Sequence, residues 1–374
     1  MLSSGAGNEH SRLVFAAACD SDGKSLMSQG GHGRDRVVDV HAHFAPLTSG
    51  TPLGADPFID RSGASAVVQL HGHPIDSIVR EVGDPGLLLE QESAIGIDVV
   101  ILSPWVALLP QHEEPGPAEA MCQRLNEAMA RTVGDDPRLA GMAAVPMIDP
   151  RRAIRVLKEA LESGLSGVEI VPTVGGAFVG DDRFEPFFAA AAEMGAPVFI
   201  HPSSRGMGID ALRGGYLWNA VGNPVETAVV AAQLVLNGLL ERYPNLHIVL
   251  AHAGGVLPAV FGRVDHAYAV RPEPRARLSE PPSRSFARLY YDTIAHGRRE
   301  LASLLEAVGP AQLLFGTDHP FDMGDYAQRS MLESLGLTPG DLDAILGGTA
   351  ARLFGLSSSS NDRGEASGKG KEKG

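Results

Sequence analysis

Two histidines one residue apart close the run Arg36-Val-Val-Asp-Val-His41-Ala-His43. Side chains alternate between faces along an extended strand, so His41 and His43 point the same way. Paired imidazoles at a strand end make half of a metal site. The other half lies far downstream, in Val198-Phe-Ile-His201, Ile248-Val-Leu-Ala-His252 and Leu313-Leu-Phe-Gly-Thr-Asp318. Each is an apolar strand followed by a potential ligand. A lone strand-end histidine is more often a polar cap on a loop, but five such residues at strand ends favour metal binding. Three neutral imidazoles plus a carboxylate suit a borderline divalent ion: Zn2+ first, with Mn2+, Co2+ or Fe2+ as alternatives.

The elements that must position these groups alternate along the chain. Strands are expected at Val37–His43, Val99–Ser103, Ala140–Pro146, Val168–Pro172, Val198–His201, Ile248–His252, Leu289–Thr293 and Leu313–Thr317. Helices are expected at 87–96, 117–133, 150–163, 184–194, 224–241, 257–268, 298–308 and 339–354, with Pro150, Pro224, Pro258 and Pro339 in tolerated first-turn positions. Most of the strands are near-continuous Val/Ile/Leu/Ala runs, the pattern of strands buried on both faces. Eight such units predict an α/β fold, a (β/α)8 TIM barrel in one domain over residues 34–356. Its C-terminal strand ends share one mouth, where His41, His43, His201, His252 and Asp318 would converge. A doubly wound open sheet is the rival, but no glycine-rich phosphate loop follows the first strand.

A chain of 374 residues, 44% hydrophobic, can bury a large core. Its formal charge of −14 argues against nucleic acid or an anionic membrane as partner, and no apolar run is long enough to span a bilayer. With only Cys19 and Cys122 there is no disulfide framework, which fits a reducing, cytoplasmic compartment. Residues 1–33, rich in Ser and Gly, and residues 357–374, Ser-rich then Lys/Glu/Gly, read as disordered tails. The patch Leu13-Val-Phe-Ala-Ala-Ala-Cys19 is a poor match to a lipoprotein signal because it is short.

At the level of motifs, His41-Ala-His43, Phe199-Ile-His201-Pro202, Leu250-Ala-His252-Ala-Gly-Gly255 and Phe315-Gly-Thr-Asp318-His-Pro-Phe321 resemble the amidohydrolase superfamily (amidohydrolase-related, family 2). Within it they are similar to the mononuclear branch of the 2-amino-3-carboxymuconate-6-semialdehyde decarboxylases. The resemblance covers residues 36–356, including Val79-Arg-Glu81, Tyr216-Leu-Trp218, Pro224-Val-Glu-Thr227, Val270-Arg271-Pro272 and Tyr291-Asp292. It implies that His41, His43, His201 and Asp318 ligate the metal and that His252 is the general acid/base. It further implies a homodimer in which Arg271 reaches a substrate carboxylate across the interface. Binuclear relatives carry a carboxylated lysine at the end of strand four. Gly167-Val-Glu169-Ile-Val-Pro-Thr173 has none, so one ion per chain is expected, with Glu169 either an extra ligand or a buried supporting acid. One departure is that the family's first substrate arginine is missing, with Asp76 or Ser77 in its place. Arg61, Arg80, Arg205 and Arg213 are alternative carboxylate partners.

The implied reaction is non-oxidative decarboxylation of a small unsaturated or aromatic carboxylic acid. Such a step needs an electron sink, a proton source and a hold on the departing carboxylate. A divalent cation supplies Lewis acidity and activates water, and His252 exchanges protons near neutral pH. Asp318 is a second proton donor where a ring carbon is protonated first. Hydrolysis of an amide, ester or lactone uses much the same equipment and remains the alternative, while a metal-binding barrel without turnover is a third reading. Phe44, Trp105, Trp218 and Phe321 follow strand ends and are candidate pocket walls. His71-Gly-His73 is expected in a loop, His319 to face away from Asp318, and His296 to orient Asp318 or substrate. The long connections 44–86 and 203–223 are expected to cap the mouth.

Overall fold

The computed structural model describes residues 36–46, 58–60, 67–70, 73–75, 80–203, 207–212 and 214–356. Eight strands form one sheet in chain order: β1 (Val38–Phe44), β2 (Val99–Pro104), β3 (Leu139–Ala144), β4 (Gly167–Ile170), β5 (Val198–Ile200), β6 (Ile248–Leu250), β7 (Tyr290–Asp292) and β8 (Leu313–Leu314). Every pairing in it is parallel. The helices between are α1 (Pro85–Ala94), α2 (Pro115–Val133), α3 (Pro150–Glu162), α4 (Glu185–Met194), α5 (Asn223–Leu236), α6 (Leu257–Val270) and α7 (Arg298–Val308). The sheet closes on itself. Val40 N donates to Phe315 O (3.0 Å), Asp318 N to His41 O (2.8 Å) and His43 N to His319 O (2.7 Å). That closure excludes the open-sheet rival and establishes the (β/α)8 barrel.

The burial pattern follows from the sequence. One apolar cluster, with Val38, Val40, Ile101, Met142, Phe199, Val249 and Leu314, fills the barrel interior. A second packs the outer strand faces against the helices. In α3 the buried residues Ala153, Val156, Leu157 and Ala160 recur at helical spacing, and Asp149 caps the first turn by accepting from Arg151 N and Arg152 N. The interior is a packed core, and the paired histidines of β1 lie at its upper end.

Most expected elements are present, with shifted ends. β8 ends at Leu314 and β6 at Leu250, short of the expected Thr317 and His252, and Asp318 (φ 62°) and His252 (φ 55°) beyond them take left-handed backbones. The helix expected over 224–241 divides at Gly238, and that over 339–354 into three short segments. The connection after β1 contains a three-stranded antiparallel sheet (Phe58–Asp60, Val67–Leu70, His73–Ile75). His73 therefore lies on a strand, where a loop was expected. Both tails, Arg61, His71, Asp76, Ser77, Arg205 and Arg213 lie outside the described residues, as does the side chain of Arg80. Among the described residues no helix is long and apolar enough to cross a membrane.

Asn126 joins α2 to the end of β3, donating to Ala144 O (2.9 Å) and accepting from Ala144 N (2.7 Å) in a buried setting. Asn126→Leu strands both backbone groups, so urea unfolding should give a stability loss of about 2–4 kcal/mol. The site's metal-binding capacity, measured on the folded variant, should be unchanged.

Candidate metal centre

Five side chains meet at the C-terminal mouth. His41 and His43 come from β1, His201 follows β5, His252 follows β6, and Asp318 follows β8. A register shift between Asp39 and Ala42 sets the first two, whose Nε2 atoms lie 3.2 Å apart. Asp318 Oδ1 is 3.0 Å from His43 Nε2 and 3.5 Å from His41 Nε2, and its Oδ2 is 3.5 Å from His252 Nε2. The ring of His201 lies 4.9 Å from that of His41, 4.7 Å from His43 and 5.0 Å from His252. All of the sequence-predicted ligands and the predicted acid/base are thus brought together. The donor atoms of His41, His201, His252 and Asp318 all lie within 4.8 Å of one another, so distance alone admits His252 to a ligand set.

Hydrogen bonding separates the roles. His201 Nδ1 lies 2.9 Å from Pro202 O; a carbonyl only accepts, so Nδ1 carries the proton and donates. Its Nε2 is then a bare lone pair, buried and without a partner. His41 Nδ1 lies 2.7 Å from Asp292 Oδ2, and His43 Nδ1 lies 3.5 Å from Ser103 Oγ, whose own proton goes to Ala42 O. Each of these imidazoles has an acceptor behind it and Nε2 facing inward, which is how metal-ligating histidines are oriented. His252 differs: its buried Nδ1 has no partner, and its side chain is 17% exposed where those of His41 and His43 are sealed. The donor set of imidazole nitrogens and one carboxylate fits a borderline divalent ion, and the orphaned His201 Nε2 is where such an ion would bond.

Burial penalises every charge here, and the neighbours decide the outcome. His201 is held well below its ordinary pKa by burial and then by the other histidines. Burial also lowers His43, against the opposing pull of Asp318. For His41 burial acts downward, yet the Asp292 hydrogen bond and the charge of Asp318 push it up to about 9. Burial alone would raise Asp318, but His252, His41 and His43 hold it well below the carboxylate range.

The remaining candidates divide. Phe321 packs 5.2 Å from the His43 ring and 6.1 Å from Trp105, giving the mouth one aromatic wall, whereas Phe44 is core. Trp218 lines a cavity of about 540 Å³ with Ile209, Tyr216, Asn223 and Glu226. Glu226 ties that cavity to the site by accepting from Ser203 N, two residues after His201. Arg271 sits at the far end of α6, exposed and paired with Glu273; with 14 residues of helix between, it is about 20 Å along the axis from the mouth. His296 is half exposed, 3.9 Å from Asp325. His319 faces Tyr326 (3.0 Å), and burial lowers it to about 3. Glu169 is buried beside Ser103 and outside the ligand grouping, with burial pushing its carboxyl well above the usual range.

Sequence reasoning missed two braces. Asp292 holds His41 Nδ1 and accepts from His252 N (2.9 Å), Ala253 N (2.7 Å) and Ile294 N (3.0 Å). Asp39 accepts from His41 N, Thr317 N and Thr317 Oγ1. The available signal was an aspartate within an apolar strand, where a charge is expensive without partners.

The sequence profile of the amidohydrolase family matches residues 38–356, and the chain belongs to that family. The 2-amino-3-carboxymuconate-6-semialdehyde decarboxylase of Dictyostelium discoideum is 28% identical over 333 residues, covering 86% of this chain and 92% of that protein. The solved 5-carboxyvanillate decarboxylase of Sphingomonas paucimobilis superposes with a TM-score of 0.72 at 23% identity, over 86% of this chain and 99% of that one. A dihydroxybenzoic acid decarboxylase of a Polaromonas species, solved with manganese and 2-nitroresorcinol, superposes with a TM-score of 0.70 at 23% identity, over 86% and 97% of the two chains.

Asp292→Asn keeps an oxygen for Ala253 N and Ile294 N but can turn a donor toward His41. Equilibrium dialysis should find Mn2+ affinity lowered roughly 10–100-fold in a folded protein.

Proposed function

We propose that this chain is a metal-dependent, non-oxidative decarboxylase of a small unsaturated or aromatic carboxylic acid. In this reading His41, His43, His201 and Asp318 hold one divalent ion, and His252 is the general acid/base. The observation that carries it is the contrast in hydrogen bonding: three imidazoles are braced at Nδ1 with Nε2 turned inward, and a fourth beside them is free to trade its proton. Zn2+ suits the donor set, and Mn2+, found in the Polaromonas structure, is the alternative. The decarboxylases among the relatives give the reaction type.

A divalent ion would supply Lewis acidity, orienting substrate oxygens and making bound water more acidic. The chain supplies the rest. Loss of CO2 leaves an electron pair on carbon that one proton must quench, so RCOO− and H+ become RH and CO2. His252, beside Asp318 and partly open to the mouth, would deliver that proton. Phe321 and Trp105 offer an apolar wall for a flat, conjugated substrate.

The working form is proposed as a homodimer. Within α6 only Leu257 is fully buried; Val256 and Val270 at its two ends stand 39% and 58% exposed, and Val229 on the neighbouring α5 40%. A second copy covering that face would take Arg271 into the interface and toward the partner's mouth, where it could meet a substrate carboxylate. Cytoplasmic location is proposed from cysteine use: there are two in the chain, and Cys122 is a buried free thiol.

The test is a panel of unsaturated and aromatic carboxylic acids, with lactones and amides alongside, offered to Mn2+- or Zn2+-loaded protein. CO2 released in step with loss of an acid supports the proposal. Turnover of lactones or amides, with silence on every acid, assigns hydrolysis instead.

His201→Ala should lose both metal and activity. His252→Ala should retain metal by elemental analysis while kcat falls roughly 10²–10⁴-fold. A metal-free His252→Ala protein would move His252 into the ligand set in place of His43. Arg271→Ala should leave metal content unchanged and lower kcat/KM by about tenfold or more, as expected for losing a charged hydrogen bond to substrate.

A further inference from the structure

The first turn of α5 (Asn223–Leu236) brackets the segments that leave three neighbouring strands. Pro224 O accepts from Val256 N (3.2 Å), beyond β6. Glu226, in the same turn, is 1% exposed and uses both carboxyl oxygens. Its Oε1 accepts from Thr173 Oγ1 (2.7 Å), beyond β4, and its Oε2 from Ser203 N (3.2 Å), beyond β5. The second of these bonds falls on a peptide that already has a task. Ser203 N and Pro202 O belong to one peptide unit, and Pro202 O accepts from His201 Nδ1 (2.9 Å). A planar trans peptide points its C=O and N–H in opposite directions, so His201 holds one edge of the unit and Glu226 the other. Fixing the N–H fixes the plane, and the plane aims the carbonyl. The carbonyl in turn sets the ring angle and the tautomer that leave His201 Nε2 bare, buried and without a partner. Hydrogen bonds in series also polarise one another. An acceptor on Ser203 N thus makes Pro202 O a better acceptor and His201 Nε2 a better lone-pair donor to a cation.

We propose that Glu226 is a positioning residue of the metal centre, whose carboxyl group clamps the Pro202–Ser203 peptide and so holds His201 with Nε2 free for the ion. The inference rests on reading His201 as a metal ligand. Partners that stand behind a ligating histidine commonly govern affinity. Glu226 also lines the cavity beside the site, but both of its oxygens are engaged by the protein, so it acts on the ligand and not on the substrate.

Glu226→Gln retains an acceptor for Ser203 N, while Glu226→Leu and Glu226→Met retain volume without one. Mn2+ affinity measured by equilibrium dialysis should stay within about threefold of wild type in Glu226→Gln and fall roughly 10–100-fold in the apolar variants. Thermal midpoints identify which of these are folded. A second readout needs neither metal nor the apolar variants: nitrogen NMR of the metal-free protein with isotope-labelled histidine. One Nδ1–H resonance, identified by its absence in His201→Ala, should be present in wild type. It should move in Glu226→Asp, whose shorter side chain withdraws the acceptor from Ser203 N. Wild-type Mn2+ affinity in a folded apolar variant, with or without loss of turnover, would overturn the role of Glu226. So would a Gln variant as weak as the apolar ones, a wild-type His201 protonated at Nε2, or an unmoved resonance in Glu226→Asp. Failure of the wild-type protein to bind Mn2+ or Zn2+, with the resonance behaving as expected, would instead remove the metal reading on which the role depends.

Discussion

The backbone hydrogen bonds that close the barrel between its first and last strands are the constraint on which the site depends. Val40, His41 and His43 exchange them with Phe315, Asp318 and His319. The same contacts that remove the sheet's two free edges also set His41 and His43 against Asp318. Fold closure and site assembly are thus one event, reinforced by Asp39, whose carboxylate bridges both strands. A slip of one residue in this pairing would turn both histidines away from the mouth.

The arrangement is costly without an occupant. Four imidazoles and a carboxylate crowd the top of an otherwise apolar core, and the buried His201 Nε2 has no partner. Unpaired polar groups at such depth destabilise a fold, as do the left-handed backbones of His252 and Asp318. These penalties fall on the residues proposed to ligate or move protons, as expected where function, not stability, has set the local structure. A divalent ion bonded to these lone pairs would offset them, which couples occupancy to stability.

Much of this was legible in the sequence, for identifiable reasons. Apolar runs ending in His41, His43, His201, His252 and Asp318 carry both fold and site, because a parallel barrel places all its strand ends at one mouth. Asp292 and Asp39 were not legible as braces: what defines them is the partner across the barrel, and no local spacing encodes a contact between β1 and β7 or between β1 and the segment after β8. The left-handed backbones of His252 and Asp318 were missed because a positive φ there is imposed by tertiary contacts and has no glycine to announce it. Nor did hydropathy anticipate the small antiparallel sheet after β1. Arg271 was read by resemblance as a substrate contact; the structure has it at the far end of α6, paired with Glu273.

The central claim is that one ion in this histidine cluster enables loss of CO2 from a carboxylic acid. Its most direct test is to strip the protein of metal and titrate Mn2+ or Zn2+ back while following labelled CO2 from the carboxyl-labelled form of the best acid substrate. The account predicts that release is negligible in the stripped protein and rises in proportion to bound metal, reaching its plateau at one ion per chain. Undiminished CO2 release without metal, or a plateau only at two ions per chain, would contradict it.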